Sequence, residues 1–444
     1  MGTRLITLLF VLLSVTPARA SVDPVLNLLV TGESAVPFPS WVASEKLFEE
    51  IWKTWEPESR ERARKLSADE RRQMAFARYG LHENALSPSI PMGFVKNAKG
   101  RLGFNCLACH SGRVLDRTVV GLPNWRIDFR SFFEDLGKLH PLNFPSAYVS
   151  SLFGPERGAI NALLEVATGI TFRDEQMNRS VTPVQWGSFH GAIVNAPPWW
   201  TLRKKTHFFP DGFYPISERI FTTVASAPYA SGTEFRAQAE PLKKVVELVL
   251  SIPVPKYPGP VDGPLARRGQ AVFERACSSC HGTYGENPSY PNRLIPLATV
   301  GTDPERLLGD GIREFRAYLQ KSWIGENRAD EFRVEPEGYL APPLDGVWAS
   351  APYFHNGSVP TLHDVLHPAT RPVVWRAEDE GYDHAKMGLS YAAFSEIPSG
   401  SRPAHEARKF WDTRVQGRGA QGHLFPDRLD ESEKAQVLEY LKTL

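Results

Sequence analysis

Apolar positions recur at helical spacing in several stretches of the chain. Ala43 to Trp55 and Arg60 to Arg78 set apolar residues three to four positions apart against charged outer faces, which predicts two helices. A further helix is predicted around Glu240 to Leu250 and another over Leu265 to Ala276. The last runs from Asp430 to Leu444, where Val437, Leu438, Leu441 and Leu444 share one face. Turn residues fill the gaps. Pro91-Met92-Gly93-Phe94 is one connection, and Thr182 to Pro215 is polar and irregular. Pro253 to Gly263 carries Pro at 253, 255, 258 and 260 and reads as an interdomain linker. Strand-type alternation is sparse, so the expected fold class is mainly α and loop-rich.

The first twenty residues follow another pattern. Arg4 gives a short basic start, Leu5 to Val15 are apolar, and Ala18-Arg19-Ala20 ends in a small-x-small cleavage site. This is the layout of a secretory signal peptide. No later run reaches the roughly 18 apolar residues of a transmembrane helix, so no transmembrane segment is expected. The expectation is a periplasmic or secreted protein, 424 of the 444 residues remaining once the first twenty are removed.

Hydrophobic residues are 42% and charged residues 23% of the chain, which excludes disorder throughout. Without Arg4 and Arg19 the 51 basic residues become 49, against 50 acidic ones. That near-neutral balance lacks the basic excess of a nucleic-acid binder, so no nucleic-acid partner is expected.

All four cysteines lie in two copies of one motif, Cys106-Leu107-Ala108-Cys109-His110 and Cys277-Ser278-Ser279-Cys280-His281. Two thiols three positions apart reach the two vinyl groups of one porphyrin, and the adjacent imidazole falls beneath the iron. A four-thiolate zinc site would leave both histidines unexplained. A thioredoxin-like pair gives no reason for His to follow each time. The sequence therefore predicts two covalently bound haem c groups. Cys106, Cys109, Cys277 and Cys280 attach them, and His110 and His281 are the proximal iron ligands. With the linker, this predicts an N-terminal haem domain over 21–252, the Pro-rich linker over 253–263, and a C-terminal cytochrome c-type haem domain over 264–444.

Ala351-Pro352-Tyr353-Phe354-His355-Asn356-Gly357-Ser358-Val359-Pro360-Thr361-Leu362 resembles a segment shared by bacterial di-haem cytochrome c peroxidases, MauG and the RoxA-type rubber oxygenases. The order of export signal, motif, Trp-containing spacer, linker, motif and this segment is similar too. The resemblance implies two haem domains packed on each other, one iron openable to peroxide or oxygen and the other six-coordinate for electron transfer. In the peroxidase branch a Met soon after Pro-Tyr-x-His ligates the second haem. Here His363 and His367 follow, with no Met until Met387. The tail Gly417-Arg418-Gly419-Ala420-Gln421-Gly422-His423 is instead similar to the Gly-rich, His-ending segment of RoxA-like proteins. That likeness implies His423 as the second distal ligand, with Met387 and His355 as alternatives. His355, in its turn-forming context, is a candidate to bond a haem propionate or nearby backbone.

The resemblance also implies a Trp between the haems. Asn195-Ala196-Pro197-Pro198-Trp199-Trp200 fits in position, with Trp200 preferred over Trp199. The following stretch, His207-Phe208-Phe209-Pro210-Asp211-Gly212, offers His207 or Asp211 as the proton-moving group of a peroxidase. A Phe from the same stretch would suit an apolar oxygen pocket. Three functions stay open. One is peroxide reduction at the first haem with electrons passed through the second. Another is RoxA-like cleavage of a hydrophobic substrate with O₂, and the third is electron carriage without a substrate. The expected partners are a small cytochrome or cupredoxin and a small oxidant, H₂O₂ or O₂.

Overall fold

Helices begin where caps coincide with apolar periodicity. In the computed structural model, which describes residues 43–84, 87–96, 100–139, 153–154, 156–226 and 230–444, the expected helix over 43–55 is Glu45–Glu50 followed by a 3₁₀ turn, Ile51–Thr54. The predicted signal peptide, residues 1–20, lies outside the described residues. The helix expected over 60–78 is two, Pro57–Arg64 and Ala68–Tyr79. Ser67 divides them. Its hydroxyl accepts the Glu70 amide while the Glu70 carboxylate accepts the Ser67 amide at 2.8 Å, a capping box that starts a new helix.

The other predicted helices form as Ala239–Ser251, Gly263–Ala276 and Glu431–Leu441. The helix leading into Cys277 packs on the C-terminal one. Gly269 meets the Gln436 carbonyl too closely to admit a side chain, and the Phe273 and Tyr440 rings stand 5.4 Å apart.

The expectation of a mainly α fold fails. Helical residues are 42% and strand residues 16%, and the strands make several small antiparallel sheets. In one of these, Val374–Asp383 runs between Gly388–Phe394 and Phe410–Asp412. Another is the hairpin Ser111–Val114 and Arg117–Val120, directly after His110. Most strands span two to four residues, too few for alternation to register in sequence.

Nor do two separate haem domains packed together emerge. The larger core cluster of buried apolar side chains runs from Leu107 to Leu441, across the 253–263 segment. That Pro-rich stretch is extended but packed. Ile252 is buried in this core, Val254 and Tyr257 lie against it, and the Pro255 carbonyl accepts the Trp348 indole N–H at 2.9 Å. A second cluster, among residues 51–153, includes Trp55, Phe76, Phe132 and Leu136.

Candidate functional site

The first Cys pair sits on a 3₁₀ turn, Cys106–Ala108, capped by Asn105, whose side-chain oxygen accepts the Leu107 amide at 2.9 Å. Asn124 ties the turn to its surroundings by donating to the carbonyls of Ala108 and Gly80. His110 donates from Nδ1 to the Pro197 carbonyl at 3.1 Å, and its ring stacks on Trp199 with centroids 5.0 Å apart. The bond fixes the tautomer and leaves Nε2 as a bare acceptor, the state a metal ligand requires. Burial lowers its pKa to about 4, so the ring is neutral. A small cleft opens beside Cys109, walled in part by Asn124, Phe153, Glu156 and Ala196.

The second motif repeats this with other residues. Cys277 ends the helix Gly263–Ala276, and His281 donates from Nδ1 to the Pro342 carbonyl at 2.8 Å. Tyr284 locks the loop, donating to the His281 carbonyl and accepting the Leu344 amide. Facing His281 is His423, with ring centroids 6.2 Å apart. An imidazole nitrogen bonds a first-row metal at about 2 Å and its centroid lies about 1.1 Å behind, so two rings sharing one iron stand about 6.3 Å apart. The spacing fits. Burial, with His281 close by, lowers the His423 pKa to about 3, and its buried Nδ1 has no partner among the described residues.

Backbone clamps hold the tail that delivers His423. Asn356 donates to the Gly417 and Gly419 carbonyls, and Arg371 to those of Ala420 and Gly422. The Asp303 carboxylate accepts the Gly419 amide at 2.9 Å. Gly422, at φ +77°, lies against the Gly301 backbone with no room for a Cβ. His423 itself is left-handed at φ +50° and donates its amide to the Val300 carbonyl.

One short segment touches both sites. Pro197 anchors His110 and Trp199 stacks on it, while the buried Trp200 donates from Nε1 to the Asp345 carbonyl at 2.7 Å. Asp345 lies three residues after Pro342, the anchor of His281.

Residues 338–376 match the RoxA-like, cytochrome c-like family.

The RoxA-like segment contains Pro342, Asp345, His355 and Arg371, so it supplies the anchors of His281 and Trp200 and one clamp on the tail. On this match residues 338–376 are similar to a cytochrome c-like domain, a kind that binds haem c. Two proteins of Sinorhizobium fredii are similar. The uncharacterized protein y4iM is 32% identical over 236 residues, covering 45% of this chain and 53% of y4iM. The uncharacterized protein y4iJ is 28% identical over 256 residues, covering 43% of this chain and 41% of y4iJ. The chain thus spans about half the length of the relatives it matches.

The residues present fit haem c. Each motif offers two unpaired thiols beside an imidazole whose Nδ1 is held by a proline carbonyl. Burial pushes the Cys106 and Cys277 thiols up to about 11, so they wait as neutral thiols. Met387 is fully buried, and its sulfur lies 3.8 Å from the Tyr382 hydroxyl. His355 stacks on Tyr339 with centroids 4.3 Å apart.

His207 and Asp211 are otherwise engaged. The His207 ring pairs with the Thr206 hydroxyl through Nδ1 and donates from Nε2 to the Glu331 carbonyl. Asp211 is fully buried between Arg306 and Arg316. Burial would raise its pKa, but the two guanidiniums overcome that and hold it low.

Glu165 carries no motif in the sequence. It lies on the helix Ala162–Ile170, which buries Leu163, Val166, Ala167 and Ile170 in the main core. Its carboxyl has no ion pair or side-chain hydrogen bond among the described residues. Burial raises its pKa to about 7, and its charge acts on both Cys106 and Cys109. Among the described residues, no helix is long and apolar enough to cross a membrane, and no cluster of three or more His, Cys, Asp or Glu is arranged for a bare metal ion.

Proposed function

We propose that each motif carries one haem c, that the first site reduces H₂O₂, and that the second, ligated by His281 and His423, supplies the electrons. The observation that carries this reading is the difference between the two sites. His423 faces His281, whereas the unpaired, protonatable group beside the first motif is a carboxyl, Glu165. A haem held by Cys106, Cys109 and His110 would supply the redox chemistry of peroxide cleavage. Glu165 takes a proton from one peroxide oxygen and returns it to the other, work for which a pKa near the operating pH is suited. Pro197 and Pro342 hold the two proximal imidazoles in the metal-binding tautomer. Trp199 and Trp200 bridge the sites, with Trp200 reaching the loop that anchors His281. A small cytochrome or cupredoxin in the periplasm is the electron donor of this reading.

The test is Glu165→Gln in the holoprotein. Peroxide turnover falls by roughly 10²- to 10⁴-fold, the range of general acid–base catalysis, while CO still binds the reduced first haem. Wild-type turnover in this variant refutes the role. Two haems that stay low-spin in every redox state and take up no CO make the protein an electron carrier. The RoxA-like match favours a second reading, oxygenase chemistry on a hydrophobic substrate. Substrate-dependent O₂ uptake without peroxide turnover would select it.

A further inference from the structure

We propose that the basic cluster of Lys205, Arg306 and Arg316, built around Asp211 and walled by Tyr339 and His355, seats the two propionate carboxylates of the haem attached at Cys277 and Cys280. The assignment rests on the reading that this motif carries haem c.

The argument begins with charge. Arg306 is 0% and Arg316 1% exposed, and both bond the same oxygen, Oδ2 of Asp211. Among the described residues, the other oxygen of Asp211 accepts only the Phe213 amide, at a long 3.4 Å. One carboxylate thus faces two buried guanidiniums. Lys205 adds a third cation, whose ammonium reaches, among the described residues, no closer acceptor than the Phe209 carbonyl at 3.4 Å. Burial lowers its pKa to about 8, with Asp211 opposing that shift. A second acid, Asp303, also acts on Tyr339, but its carboxylate accepts the Glu305 and Gly419 amides. The cluster keeps an excess of positive charge in a place where isolated charge is costly.

The donors tell the same story. Nη1 and Nη2 of Arg306 and Nε of Arg316 are buried and have no acceptor among the described residues. Buried guanidinium N–H groups are otherwise almost always paired. Their planar fork matches a carboxylate, and a haem edge brings two carboxylates on one rigid ring.

The walls give the location. His355 stacks on Tyr339, and no described group bonds its ring nitrogens. The neighbouring Phe354 ring lies 6.0 Å from that of His423, and Tyr339 is three residues before Pro342, the anchor of His281. The walls of the cluster are thus chain neighbours of the residues that flank His423 and anchor His281, and the His355 carbonyl also accepts the Asn195 amide, two residues before the anchor of His110. A free dicarboxylate offers the same chemistry, and the experiment separates the two sources.

Spectroelectrochemical titration of the holoprotein reads each haem's midpoint potential, and resonance Raman reads the propionate bending modes. Lys205→Met removes a cation that stabilises the carboxylates without orphaning Asp211. The potential of the second haem should fall, its propionate mode should shift, and the first haem should not move. Lys205→Arg should restore the wild-type values, which a merely structural role of the side chain would not predict. Arg306→Gln should move the same haem further, and if it does not fold, the Lys205 pair decides. Unmoved potential and Raman mode in Lys205→Met overturn the proposal. So does a shift produced in the wild type by added succinate, since the seat would then be open to a free anion. Absence of haem from the second motif overturns the proposed function as well, and a haem count taken first tells the two failures apart.

Discussion

Replacing Gly422 by Ala tests whether the tail Gly417–His423 sets the position of His423. Gly422 stands at φ +77°, a region that costs an L-residue about 1 kcal/mol. A Cβ there would overlap the backbone of Gly301 and Thr302, which cannot swing aside as a side-chain end could. Relief needs a backbone shift of about 1 Å. The tail resists that shift, because Arg371, Asn356 and Asp303 grip it at five peptide groups between Gly417 and His423. Losing one or two of those bonds adds about 1 kcal/mol each, for a total of about 2–3 kcal/mol. At 1.4 kcal/mol per factor of ten, seated His423 loses roughly 30- to 140-fold in population. Low-temperature EPR with visible spectroscopy is the assay. The second haem should become largely high-spin while the first keeps its signal. A fully low-spin second haem together with a wild-type thermal midpoint would refute the reasoning.

Three further outcomes are expected. His423→Ala turns one haem high-spin and leaves the other unchanged, whereas Met387→Leu leaves both spectra alone, because that sulfur lies against Tyr382. Loss of a low-spin haem in Met387→Leu would reverse the assignment. Trp200→Phe removes the bond to the Asp345 carbonyl, so stopped-flow electron transfer between the sites slows while CO binding persists. Unchanged transfer would move the route elsewhere. Glu165, raised from 4.5 to about 7, binds its proton more tightly in the folded state. Its contribution to stability is therefore complete below about 4.5 and lost as pH rises to about 7, and Glu165→Gln should remove that slope from a urea-denaturation series.

What the sequence disclosed depended on whether the signal was local. Each Cys-x-x-Cys-His motif is complete within five residues, and the Gly-rich tail is readable because only Gly tolerates the turn at 422. The helices at 239–251, 263–276 and 431–441 were legible from period and caps. Most of the small sheets were not, since two- to four-residue strands carry no period, and the longer pair Val374–Asp383 and Gly388–Phe394 was missed as well. Glu165 was invisible for another reason. On its helix it reads as an ordinary outer-face residue, and only the fold brings its charge within electrostatic reach of Cys106 and Cys109. The reverse holds for His207 and Asp211, which look free in sequence and are consumed by Glu331, Arg306 and Arg316. The choice between Trp199 and Trp200 had no sequence basis, because each touches a different site.

The facing pair His281 and His423 has a mechanical consequence. The rings stand 6.2 Å apart, yet 142 positions separate 281 from 423. One iron bonded to both would close that loop as a cross-link does, shrinking the conformational freedom of the denatured chain. For a disulfide of comparable span the gain is about 5 kcal/mol. Exchange of the sixth ligand at this iron would then be felt by the whole fold, and the unfolding midpoint would become a gauge of coordination.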